Sequence, residues 1–428
     1  MYGKCSRMLR MSLLIIAVVL APALASVPAA WAGSGYKTLY KFPAHPYAPP
    51  TGGLIFDKAG NIYGTTYLGG DADDGTVFKL MRRHGIWERT VLYSFCSLAV
   101  CSDGADPIGG VILDSSGNLY GTTAGGGAYD MGTVFRLTPH HDGSWSESVL
   151  HSFEGGADGR EPWAGLVFDQ EGRLYGTTAA GGGSSACYQN YGCGVVFQLS
   201  PGKGEKWNEA VLYSFKGTDG DGSNPIAGLI LDQEGNLYGT TQTGGRCRVD
   251  NQGCGIAFEV LPSGDGGWNE KILYSFGDNG ILPSAGLTLD AFGNLYGATV
   301  DSLTGCATGV VFELTPNANG TWTEAVLHEF CSHDGEDPFA GVILDSAGNL
   351  YGTAAFGGDF RQCTYGCGVV FELKRNSDGR WHESVLHYFA DHPGDVPYGV
   401  IFDATGNLYG GTQGDGTTTF GSVFEITP

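Results

Sequence analysis

Basic residues are scarce in this sequence: 23 Lys and Arg stand against 45 Asp and Glu, a formal net charge of −22. A surface that acidic repels phosphate backbones and anionic headgroups, which excludes nucleic acid and anionic membrane as partners. Amphipathic helical periodicity is missing, as is any apolar run of membrane-spanning length beyond the first residues. No G-x-S-x-G motif, phosphate-binding glycine loop or zinc-ligand spacing stands out, so the sequence implies no cofactor and no metal.

What is present begins with Lys4, Arg7 and Arg10, an apolar run over residues 13–20, and small residues ending at Ala25 or Ala32. This layout predicts a signal peptide over residues 1–32, cleaved after Ala25 or Ala32, ahead of a single domain over residues 33–428. Its removal takes the net charge to −25. No second apolar segment follows and the chain ends on a strand-like stretch, so we expect a monomer, secreted or periplasmic, without membrane insertion.

The stretch Gly-Leu-Ile-Leu-Asp-Gln-Glu-Gly-Asn-Leu-Tyr-Gly-Thr-Thr, residues 228–241, recurs along the chain, with its tyrosine at Tyr63, Tyr120, Tyr175, Tyr238, Tyr296, Tyr351 and Tyr409. Seven copies make a tandem-repeat protein. Each repeat holds four apolar segments, a to d, which in the fourth copy are residues 228–232, 237–241, 255–260 and 268–276. Glycine, Asn, Asp or Pro bounds them, so they read as strands.

Segments a and b are joined by D-x-x-G-N in six copies, and the third copy ends in Arg173 instead. This is a hairpin signature, and one Asp in every repeat points to architecture rather than catalysis. Segment a is apolar throughout, as a strand covered on both faces would be, whereas segment d alternates, as in residues 207–215. The fold expected is all-β: a seven-bladed β-propeller of four-stranded antiparallel blades. One extra d-like segment, residues 36–42, precedes the first repeat, and the chain ends on a c segment, residues 422–426. The N-terminal strand should therefore complete the last blade and leave no open edge.

The linked motifs G-N-L-Y-G-T-T, G-G and G-x-V-F-x-L resemble the GloVer tandem repeat of secreted bacterial proteins, over residues 36–428. The resemblance implies export, and members are described by varied C-terminal anchors. This chain departs in showing no such anchor, which favours free secretion or periplasmic residence.

Ten cysteines follow the signal peptide, an even number suited to disulfides in an oxidising compartment. Four pairs are local: Cys96 with Cys101, Cys187 with Cys193, Cys247 with Cys254, and Cys363 with Cys367. In an up-and-down blade the b-to-c and d-to-a loops emerge on one face, and every pair falls there, including Cys306 with Cys331. Such staples either make the face a rigid platform for a ligand or simply brace long Gly-rich loops outside the cell.

The d-to-a loops of that face share a proline, at Pro50, Pro107, Pro162, Pro225, Pro283, Pro338 and Pro397, with variable neighbours. Asp106, Glu161, Asn224 and Asp337 precede it, and Trp163, Phe339 and Tyr398 follow it. These seven are the candidate ligand-binding residues, the aromatics stacking on sugar rings and the polar groups bonding hydroxyls. The competing reading makes the aromatics interblade packing and the acids turn caps. We expect a secreted propeller that binds an extracellular glycan or protein, with no catalysis evident in the sequence. The alternative is a glycoside hydrolase or lyase acting on polysaccharide, with Asp106, Glu161 and Asp337 as its acids. His151, His328 and His387 take the place of Tyr93, Tyr213 and Tyr274 in segment d and read as structural. So do the six tryptophans that open segment d, from Trp87 to Trp381, while residues 219–224 form a weak calcium candidate.

Overall fold

Each repeat closes into a four-stranded antiparallel sheet in simple meander order. The computed structural model describes residues 35–43, 49–187, 191–204, 206–247, 253–303, 308–361, 363–389, 396–414 and 420–428. In the fourth blade, strand a is Ile230–Leu231, b is Leu237–Thr241, c is Ile256–Pro262 and d is Trp268–Ser275. Blades 1 to 6 follow this plan, and blade 7 takes Val396–Phe402, Leu408–Gln413 and Ser422–Thr427 as its a, b and c. Its d strand is Gly35–Lys41 from the other end of the chain, paired antiparallel with the final strand. The seven-bladed propeller and its closure by the N-terminal strand are thus present as the sequence predicts.

The repeat's residues earn their places by packing between blades. The Phe just after each d strand donates its N–H to the Gly ahead of strand c in its own blade, as Phe215 does to Gly194 at 3.0 Å. Its ring meets the strand c Phe of the next blade edge to face in all seven interfaces, from Phe42–Phe78 to Phe389–Phe424. Edge-to-face pairs add to the burial of both rings. The same strand c ring explains the glycine of Y-G-T-T: a Cβ on Gly239 would lie 2.6 Å from the tip of Phe258.

The tryptophans that open strand d pack on the preceding blade's repeat tyrosine, as Trp268 does on Tyr175 and Trp207 on Tyr120. They are interblade packing, as read from their regularity. The histidines of strand d are structural too: His151 and His328 lie 3.2 and 3.1 Å from Asp158 and Asp334, the contact Tyr213 makes to Asp221.

Two details differ from the sequence reading. Strand a pairs over only two residues in blades 1 to 6 and is half-buried rather than covered on both faces. Its leading glycines instead crowd the ring's centre, where a Cβ on Gly109 would come within 2.7 Å of the backbone of Ala164 in the next blade. Strand d carries a bulge in every blade, at Leu212 in blade 3, so its alternation does not run through to the terminal Phe.

Candidate functional site

The hairpin aspartates leave nothing free for chemistry. Asp232 accepts from the N–H groups of Glu234 and Asn236, from the Asn236 amide and from the Tyr238 hydroxyl, at 2.8 to 3.0 Å. The tyrosine-to-aspartate bond recurs in all seven blades. At Asp403, burial raises the carboxyl's pKa, but the bonds from Asn407 and Thr405 outweigh it and hold it at about 2.

The opposite face carries the b-to-c and d-to-a loops and all the described disulfides: Cys96–Cys101, Cys187–Cys193, Cys247–Cys254 and Cys363–Cys367. Cys331 is disulfide-bonded, and its expected partner Cys306 lies outside the described residues. Cys193, Cys254 and Cys367 are fully buried in the interblade core, so these bridges also fill space. Four disulfides indicate an extracellular or periplasmic protein. No helix among the described residues is long and apolar enough to cross a membrane.

The proline-flanking positions form a regular ring on this face. Asp106, Glu161, Asn224, Leu282 and Asp337 all take left-handed backbone, with φ between 53° and 60°. That conformation is uncommon for a residue with a side chain. A backbone clamp enforces it: Asp337 donates its N–H to Thr308 of the preceding blade at 2.8 Å, and its carbonyl accepts from Ala355 of its own blade at 3.1 Å. The equivalent pair of bonds holds Asp106, Glu161, Asn224 and Leu282. The backbone is therefore fixed while the side chain is free to vary.

Those side chains divide by environment. Asp106 titrates above its ordinary value because of burial and then the charges of Asp74 and Asp130. Burial, with Glu336 and Asp301 nearby, lifts Asp337 further, to about 6. Glu161 is instead paired with Arg160 at 2.7 Å, and that guanidinium lies over the Tyr191 ring. Asn224 joins a polar chain through Gln242 to Ser284 at 2.8 and 3.0 Å, and Tyr398 donates to Gln413 at 2.9 Å. The charges bearing on Asp106 and on Asp337 come from separate local sets rather than from each other. Trp163 and Phe339 are each 37% exposed.

Sequence reasoning missed the partners. Asp74, Asp130 and Asp301 lie in the b-to-c loops, whose lengths vary from repeat to repeat and so carry no period. The aromatics of those loops were missed for the same reason. Among the described residues, eight large aromatics are exposed, and seven lie on this face: Tyr67, Tyr129, Trp163, Tyr191, Phe339, Phe360 and Tyr365. Sequence position puts His45, His333 and His392 in the loops of this face; His333 is exposed and edge-on to Phe360, and His45 and His392 lie outside the described residues. In the calcium candidate, the buried Asp221 carboxylate accepts from Tyr213, Lys216 and Gly222, which makes it the cap of its own loop.

A family model described as the Gloeobacter/Verrucomicrobia repeat matches residues 29–247, 188–364 and 250–428. No curated protein matches the sequence. Among solved structures, an ancestral GH74 enzyme superposes with a TM-score of 0.53 at 11% identity, covering 89% of this chain and 48% of its own. A gluconolactonase from Xanthomonas campestris gives a TM-score of 0.41 at 13% identity, over 92% of this chain and 89% of its own. At 11% identity the likeness to the GH74 enzyme shows a shared fold alone.

Proposed function

We propose that this chain, which belongs to the Gloeobacter/Verrucomicrobia repeat family, is an exported binding protein that holds an extracellular glycan on its disulfide-stapled face. The observation that carries this reading is the segregation of exposed aromatics, seven of eight on one face of the ring. Aromatic rings stacked against sugar faces, with carboxyl, amide and hydroxyl groups between them, are the chemistry a polyhydroxylated ligand needs. Trp163 and Phe339 supply platforms on clamped backbone, and Asp106, Glu161, Asn224, Asp337 and Tyr398 supply polar contacts around the ring. Disulfides and the interblade clamps keep the surface preorganised, which lowers the entropy lost on binding. Residues 1–32 act as the signal peptide that exports it.

A glycan array probed with the wild type, Trp163→Ala and Phe339→Ala tests this. Retention by the wild type and its loss in both variants is expected; equal retention by all three refutes the site, and no retention refutes the ligand class. One observation favours a second reading, a polysaccharide-cleaving enzyme: Asp337, held at about 6, keeps a proton available near neutral pH. Release of reducing sugar by the wild type, abolished in Asp337→Asn, would support it, whereas release that is absent or undiminished in the variant would remove it.

A further inference from the structure

The face opposite the disulfides carries the a-to-b and c-to-d turns, and between blades 3 and 4 it holds a cavity of about 400 Å³. Two departures from the repeat meet there. In six hairpins an Asn amide bonds the hairpin aspartate, but in blade 3 the Arg173 guanidinium does so and reaches on to Glu171 at 3.1 Å. The Arg173 side chain is 40% exposed, so the rest of its guanidinium faces solvent at the cavity mouth. Across the cavity, the residue before the strand d tryptophan is Gly267, where the other five such blades carry Ile86, Ser144, Lys206, Thr321 and Arg380. The glycine leaves the wall beside Trp268 without the side chain that stands there elsewhere.

The lining is built for hydroxyl groups. Gln170, Gln233 and Arg173 offer donors beside acceptors on Glu171, Glu234 and the two glutamine amides, with Trp268 as an aromatic wall. A hydroxyl both donates and accepts, so mixed groups at close quarters suit it. The carboxylates of Asp169, Glu171, Asp232 and Glu234 outnumber the single guanidinium, which disfavours an anionic sugar. A second recess, of about 640 Å³, shares Asp169, Gln170, Leu231, Asp232 and Gln233 with the first and continues to the strand a residues of blades 3 to 5. Together the two cavities give room for more than one sugar unit.

We infer that this cavity is a second binding site, for a neutral oligosaccharide, made where two adjacent blades each depart from the repeat. It shares no residue with the stapled face, so a molecule with both sites joins two glycan segments at once and gains avidity from the linkage.

Hydrogen–deuterium exchange with a pool of neutral cello-, xylo-, malto- and manno-oligosaccharides tests it on the full chain. Exchange should slow over residues 169–175 and 231–235 in the wild type and in Trp163→Ala. In Arg173→Asn/Gly267→Thr, built from residues other blades carry, affinity measured at these turns should fall about tenfold with an unchanged melting temperature. Should Gly267→Thr disturb its turn, Arg173→Asn alone carries the comparison. No slowing at these turns in the wild type, or equal slowing in the Arg173→Asn variant, overturns the inference. Loss of slowing in Trp163→Ala also overturns it, because the two faces are then not independent.

Discussion

Asp403 shows how a single residue of the repeat works. Its carboxylate accepts from the N–H groups of Thr405 and Asn407, the Asn407 amide and the Thr405 hydroxyl, all within 2.9 Å. Replacing it with Ala leaves those donors without their acceptor, and we expect a cost of about 1 to 3 kcal/mol, read as a lowered denaturation midpoint with glycan retention unchanged. The sign of its pH dependence follows. A folded pKa of about 2 lies below the unfolded value, so its contribution is present above about pH 4 and is lost as pH falls toward 2. The structural role of these aspartates was legible, because a carboxylate present in every repeat is explained by the turn it closes. The left-handed conformation at Asp106 and Asp337 was not, since one half of the clamp that imposes it comes from the preceding blade's b-to-c loop, a partner remote in sequence.

At the scale of the element, the outer strand holds a feature that its alternation concealed. Third in each W-x-E of strand d stands Glu147, Glu209, Glu270, Glu324 or Glu383, with Arg89 in blade 1. These side chains turn toward the preceding blade instead of solvent. Burial first, and then the loop acid of that blade, lifts Glu147 to about 8 beside Asp103, and Glu209 and Glu270 to about 7 beside Asp158 and Asp221. His151 and Lys216 partly offset this at Glu209 and Glu270. Burial likewise holds Glu383 at about 7, where His328 lowers and Asp334 raises the pKa. A raised carboxyl stabilises the fold fully below its unfolded pKa and loses that contribution as pH rises through the folded value. The melting temperature should therefore fall between about pH 5 and about pH 8, and the Glu→Gln quadruple variant at 147, 209, 270 and 383 should flatten that slope. A profile equally steep in the variant would show that these groups do not titrate as placed. The strands themselves were legible from turn signals and apolar runs; the bulge in each strand d was not, because the extra Leu is as apolar as its neighbours.

The whole molecule is a closed ring whose core lies between blades. Every cluster of buried side chains draws on two adjacent blades, so no blade completes a core alone. Cooperative unfolding follows, and Phe258→Ala, which empties one interface at a fully buried ring, should cost about 3 to 5 kcal/mol by chemical denaturation. Closure rests on strand Gly35–Lys41, with Phe42 standing where Phe95 stands in blade 1, and the exposed Lys37–Glu425 ion pair at 2.9 Å adds little to it. Deleting residues 33–43 should sharply lower the thermal midpoint, and an unchanged midpoint would contradict closure. Architecture at this scale was readable because a repeat states it seven times. The proposed binding surfaces were less so, since they are built from what differs between copies: loop aromatics without a period, and a pair, Arg173 and Gly267, that lines one cavity only once the blades pack.

Calorimetric titration of an array-positive glycan into wild type, Arg173→Asn and Trp163→Ala/Phe339→Ala measures glycan recognition by the stapled face. The double aromatic variant should lose affinity at its face by about tenfold or more while Arg173→Asn retains it. Equal affinity at that face in the wild type and the double aromatic variant would contradict glycan recognition there.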